Sequence, residues 1–232
     1  MAQTTDYIKL SKIAGVLYLI IIICGISSEL FVRAPIIDYE SSVSTLKNIT
    51  TSLPLYHLGF VLDLVMLLSD VALAVIFYKL FQPVNQLLSL NALVYRVVHA
   101  IIVTIALLFS YFASVIVLNN ALPITQTTYL MRLFLDIHSY GYDLGLIFFS
   151  VSNGIIGVLI LRSFNLPKIL GYGLILASLV YLAGSFIHFL FPAFLSFIEV
   201  AYLIPFIAET SFALWLLFLN ERYQKNFQTL ND

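Results

Sequence analysis

Apolar residues gather into six long runs, at approximately 10–31, 55–80, 88–118, 133–161, 169–191 and 197–219, with short polar punctuation between them. A helix crossing roughly 30 Å of hydrocarbon takes about 20 such residues, because lipid offers no partner to a free backbone N–H or C=O. The pattern therefore predicts an all-α, six-helix transmembrane bundle that forms one domain over residues 1–232. The breaks carry turn residues: Pro35 and the stretch 38–51, Gln82-Pro83, residues 119–123, Asn165-Leu166-Pro167, and Pro192. With a longest loop of about 20 residues, no separate soluble domain fits.

The first run is longer than a signal-peptide h-region and lacks a small-residue cleavage site before Glu29 and Arg33, so it is expected to stay in the mature chain. With the amino terminus inside, Lys9, Lys12, Lys79, Arg162, Lys168, Arg222 and Lys225 share one side, and Arg33, Lys47 and Arg132 share the other. The basic-inside bias then expects both termini in the cytoplasm, in a multi-pass protein of the cell membrane. Asn48-Ile49-Thr50 matches a glycosylation acceptor on the outer loop, which matters only in a eukaryotic secretory pathway. Lys79-Leu80-Phe81-Gln82 and Arg162-Ser163-Phe164-Asn165 resemble each other, and positive-inside charge before a proline turn accounts for both.

Composition sharpens the exclusions. Hydrophobic residues make up 61% and charged residues 10%, against about a quarter charged in a soluble domain, so a soluble fold is excluded. Eleven Lys and Arg against twelve Asp and Glu leave no basic field for nucleic acid, and membrane lipids are the expected surroundings. The lone Cys24 makes neither an intrachain disulfide nor a multi-cysteine metal site.

Ionisable groups inside a span cost about 2.5–3.5 kcal/mol each on insertion scales, so they mark a bundle interior or a wet cavity. At 1.5 Å per residue, Glu29, His57, Asp136, His138, His188 and Glu199 fall roughly 12–16 Å from mid-span toward the outer face. Asp63 and Asp143 lie about 6 Å out, and Asp70, Glu209, His99 and Arg96 near or below the middle. Asp63 and Asp70 share a helix face, as do Asp136, Asp143, Ser150 and Gly157, while Arg96 and His99 form a third stripe with Ser110 and Ser114 near it. Three inward stripes predict an outward-facing cavity lined by Asp63, Asp143, Ser110 and Ser150, closed below by a network of Arg96, Asp70, Glu209 and His99. Arg96 holds its charge and needs a carboxylate; the short turn between spans two and three makes Asp70 the first candidate, ahead of Glu209.

Three function classes follow. The first is binding or transport of a small ligand, ion or lipid in that cavity, with dimerisation supplying further helices, since six spans are few for a transporter. The second is an intramembrane metal-dependent hydrolase, with zinc held by His57, His138 and His188 at matching depth; no HExxH-type spacing supports it. Ser69, Ser110 and Ser150 lack a GxSxG-type frame, so nucleophilic catalysis has less behind it still. The third is a sensor or assembly factor without turnover. Gly154 with Gly157, and Gly141 with Gly145, read as places where helices approach closely.

The segments Lys12-Ile13-Ala14-Gly15-Val16-Leu17-Tyr18-Leu19 with Gly25, Lys79 to Val84 with Tyr95-Arg96, Arg162 to Gly171, and Glu209 ahead of Trp215-Leu216-Leu217 resemble an uncharacterised bacterial multi-pass membrane family. The Arg-Ser-x-x-Leu-Pro-x-Ile-Leu-Gly turn is its most specific piece, and the resemblance covers nearly the whole chain. It implies a bacterial cytoplasmic-membrane protein and places Arg96 and Glu209 in family-like motifs. It brings no catalytic residues, and the three histidines match nothing in it.

Overall fold

The computed structural model describes residues 2–119, 121–163 and 166–219, and those residues form helices joined by short turns, with no strand among them. Seven longer helices organise the described residues. They are α1 (Ala2–Ser27), α2 (Ser42–Thr51), α3 (Leu53–Phe81), α4 (Gln86–Leu118), α5 (Ile124–Arg162), α6 (Lys168–Leu190) and α7 (Leu203–Leu214). Six of the resulting segments are long and apolar enough to cross a membrane: Tyr7–Ile36, Leu53–Phe81, Gln86–Leu118, Ile124–Arg162, Lys168–Leu190 and Pro192–Phe218. Phe164, Asn165, Arg222 and Lys225, used above for a turn and for charge asymmetry, lie outside the described residues.

Each spanning helix packs on its sequence neighbours, and α7 returns to α1, so the spans close into a ring. Small residues set the seams. A Cβ on Gly157 would lie 2.8 Å from the Gly171 carbonyl oxygen, and one on Gly171 would lie 2.8 Å from that of Gly157, so α5 and α6 touch backbone to backbone there. Close approach of this kind is what joins helices in lipid, where apolar burial gives no drive. Inside the ring sit Tyr18, Leu73, Phe77, Leu159, Leu174 and Phe212, all fully buried.

Three elements depart from the expected spans. The first helix continues past residue 31 as a π-helical turn, Ser28–Arg33, and a final turn, Ala34–Ile36. Pro35 lies in that final turn, and the helix does not continue beyond Ile36. α5 starts at Ile124, nine residues before the apolar run at 133, because Gln126, Thr127 and Arg132 interrupt hydropathy without interrupting helix. At 39 residues it is about 58 Å long, far beyond the hydrocarbon thickness. The sixth run is not helical from 197: residues 192–202 form short 3₁₀ and α turns, and α7 begins at Leu203. Pro205, in the first turn of α7, would clash with the Ala201 carbonyl in a longer helix, which sets the start.

The stretch 38–51 is mostly helix rather than loop. Ser41 caps α2 by accepting from the Ser44 N–H at 3.2 Å, and Asp38 and Thr45 hydrogen-bond across the preceding turn. α2 buries Thr45 and Ile49 against Val32, Ile36, Tyr56, Ala113, Met131 and Leu135, a second apolar cluster beyond the first. Asn48 ties it down by donating to the Ile36 carbonyl at 3.1 Å. The extended α5 and the extended first span thus give α2 a seat across the end of the bundle opposite the start of α1.

Candidate functional site

Near mid-span every spanning helix contributes to one buried polar cluster. α3 and α4 are joined by the turn after Phe81, which Asn85 closes by capping α4 at the Leu88 N–H, 2.9 Å. This tight link sets Asp70 beside Arg96. The Arg96 Nε donates to Asp70 Oδ1 at 2.7 Å, and Nη2 lies 2.6 Å from the same oxygen as an ion-pair contact without hydrogen-bond geometry. The guanidinium is 1% exposed and sits among three rings, with its carbon 5.5 Å from the Tyr18 centroid, 5.6 Å from Phe77 and 4.7 Å from Phe149. Those ring faces add cation–π attraction to the pair.

Asn153, one turn beyond Ser150 on α5, donates to Glu209 of α7 at 2.9 Å, and Tyr18 of α1 donates to the Asn153 amide oxygen at 3.4 Å. Tyr181 of α6 reaches the same Glu209 carboxyl. His99 packs its ring 5.0 Å from Phe149, and Gly145 leaves room for it: a Cβ there would sit 3.2 Å from His99 Nδ1. The cluster holds one guanidinium against two carboxylates; Asp70 Oδ2 is buried without a hydrogen-bond partner, while the guanidinium also faces the Tyr18 hydroxyl and His99 faces the Gly145 backbone. Asn153, Tyr18 and Tyr181 are missing from the sequence reading, which counted charges; Asn153 lies on the Asp143, Ser150, Gly157 stripe and was open to detection there.

The residues expected to line one outward cavity are not gathered around one space. Asp63 is 3% exposed and paired with Arg33, whose Nη1 is 2.5 Å from its Oδ2. Asp143 is held by His188 Nδ1, with Tyr140 stacked on that imidazole at 4.7 Å between centroids. Ser110 is bonded to the Tyr56 hydroxyl at 2.9 Å, and Ser150 donates to the Ile147 carbonyl of its own helix at 2.7 Å. The physical reason is α2, which packs over the end of the bundle where the three stripes were expected to open.

The histidines are likewise engaged one by one. His57 Nε2 pairs with the Ser114 hydroxyl at 3.1 Å, His138 Nδ1 with the Ala106 carbonyl at 3.1 Å, and His188 with Asp143. Among the described residues no three His, Cys, Asp or Glu side chains come together to hold a metal, so this donor set does not fit a zinc centre. A surface pocket of about 490 Å³, lined by Ile187, Phe191, Phe194, Phe197, Ile198 and Ala201, is apolar and carries no group for chemistry.

A protein-family profile described as Domain of unknown function (DUF4386) matches residues 13–219, which include every member of the central cluster, and the chain belongs to that family. No curated protein matches the chain. No solved structure matches it.

Proposed function

We propose that this integral membrane protein binds a small polar species, a proton carried with water, at the Asp70–Arg96–His99–Asn153–Glu209 cluster and passes it between the two faces of the membrane. The observation that carries the reading is a carboxylate oxygen, Asp70 Oδ2, buried without a partner in a cluster of one guanidinium, two carboxylates and a histidine. An ion pair serving only to tie helices gains most when every donor and acceptor is satisfied, and orphaned buried polar atoms are rare enough to call for an occupant. The charges select its class. Two carboxylates oppose an anion, and the central guanidinium opposes a bare metal cation. Water is neutral and both donates and accepts, which suits Asp70 Oδ2 beside Arg96 and His99. Carboxylates and a histidine joined by water are the parts of an intramembrane proton relay.

The basic residues Lys9, Lys12, Lys79, Arg162 and Lys168 at the end where α1 starts support a cytoplasmic placement of that end in a bacterial cytoplasmic membrane. Purified protein in liposomes loaded with a pH-sensitive dye tests the function. Under an imposed pH gradient, with valinomycin and potassium to balance charge, wild-type vesicles should dissipate the gradient faster than protein-free ones. Glu209→Gln, which keeps an oxygen for Asn153, should remove the difference. Wild-type vesicles no leakier to protons than empty ones, in either direction, would refute the proposal.

A further inference from the structure

Asp63 and Asp70 lie seven residues apart on the inner face of α3, about 10.5 Å along its axis, and their surroundings repeat. Each has one carboxylate oxygen held by a guanidinium from a neighbouring helix: Arg33 of the first span at 2.5 Å for Asp63, and Arg96 of α4 at 2.7 Å for Asp70. Each has its other oxygen buried without a partner, Oδ1 of Asp63 and Oδ2 of Asp70. Each guanidinium lies over aromatic faces, Arg33 over Tyr142 at 5.8 Å. Each also has a second carboxylate in its neighbourhood, Glu29 for Arg33 and Glu209 for Arg96.

The outer copy differs in one respect. Glu29, 2.7 Å from Arg33 Nε, has a side chain 59% exposed, whereas Glu209 is buried. The π-helical turn makes this possible, since it brings residues five apart side by side: Arg33 Nη1 donates to Ser28 Oγ at 3.0 Å while its Nε faces Glu29. π-helical turns of this kind recur at functional sites. The titratable and charged groups facing Asp63 are Glu29, Arg33 and Cys24 from the first span, Tyr56 from α3 and Tyr142 from α5, with His138 close to Arg33.

We infer that Asp63 is the outer station of a proton path, linked to the surface through Glu29 and Arg33, with Asp70 and the central cluster as its next station. This rests on the proton-passing reading above. One proton taken from outer water onto Asp63 Oδ1 is one proton handed inward through water toward Asp70 Oδ2, and the Asp63 carboxylate is restored. Arg33 stays charged throughout and positions the carboxylate.

The same dye-loaded vesicles decide it, using full-length wild type, Asp63→Asn, Asp63→Glu and Glu209→Gln, each checked for folding by its melting temperature. Asp63→Asn should slow proton flux about a hundredfold or more, the scale of losing a positioned acid–base group, and Asp63→Glu should restore most of it. Arg33 keeps Glu29 as a partner in Asp63→Asn, which favours folding; if that variant still fails to fold, Glu29→Gln, exposed and outside the packed interior, should slow flux instead. Wild-type flux lost in Glu209→Gln but untouched in Asp63→Asn, or in Glu29→Gln where that stands in, overturns the outer station and leaves the central reading standing. Equal slowing in folded Asp63→Asn and Asp63→Glu also overturns it, because the carboxylate would not be what matters. Absence of flux in wild type removes the central reading and the outer station together.

Discussion

Breaking the Asp70–Arg96 pair from its two sides should cost different amounts. Removing one partner of a buried pair costs about 3–5 kcal/mol, because a charge is left without compensation. Asp70→Leu leaves the guanidinium, yet Tyr18, Phe77 and Phe149 still face it, and Glu209 remains as a second anion in the cluster. Ring faces contribute about 2 kcal/mol or more to a desolvated cation, so this loss belongs near the lower end, about 3 kcal/mol. Arg96→Met removes the one cation and leaves two carboxylates in the same interior, which belongs near the upper end, about 5 kcal/mol. The double variant Asp70→Leu with Arg96→Met deletes both charges and fills similar volume with apolar atoms. It should be more stable than Arg96→Met alone, by about 2 kcal/mol or more.

The assay is equilibrium unfolding in mixed micelles, with increasing SDS against a fixed nonionic detergent, followed by tryptophan emission from Trp215, the only tryptophan. Trp215 is buried in the same core, so its signal follows the bundle rather than a loose end. Single losses below about 1 kcal/mol each, or a double variant whose loss equals the sum of the two, would refute the argument, because independent sites add and a coupled pair does not.

Two further outcomes follow from packing. Gly157→Ala puts a methyl 2.8 Å from the Gly171 carbonyl oxygen and should cost about 1–3 kcal/mol by forcing α5 from α6. Adding Gly171→Ala should cost less than it does alone, since the same seam is already open; full additivity in the unfolding assay would contradict this. Ile49→Ala empties the anchor of α2, and because that helix is a short cap rather than a span, the effect should be local opening. Hydrogen exchange over residues 38–52 should speed up while the spanning helices keep their protection, and a uniform loss across the bundle would speak against a separate cap.

How much of this was legible in the chain depends on what kind of signal each feature leaves. The six spans and the Asp70–Arg96 neighbourhood were readable because they rest on long-range averages and on one short turn: apolar runs of span length, and a four-residue link that forces α3 against α4. The interior partners were less so. Asn153 and Tyr18 carry no formal charge, so a census of expensive residues passes over them, although in lipid an amide without partners is nearly as conspicuous as an acid. Arg33 was harder again. At the end of an apolar run a basic residue reads as a surface anchor, and a π-helical turn is what carries its guanidinium inward onto Asp63. A turn of that kind is set by packing against α3, where a Cβ on Gly59 would lie 2.8 Å from Val32 and where Ser28 donates to the Gly59 carbonyl at 3.3 Å. The same holds for α2: its ten residues are too short to announce themselves by hydropathy, and their position over the bundle depends on an α5 that runs well past the membrane. Closing that end converts three stripes expected to line an open cavity into separate, paired stations, and any path for a proton must run between those stations rather than through a vestibule.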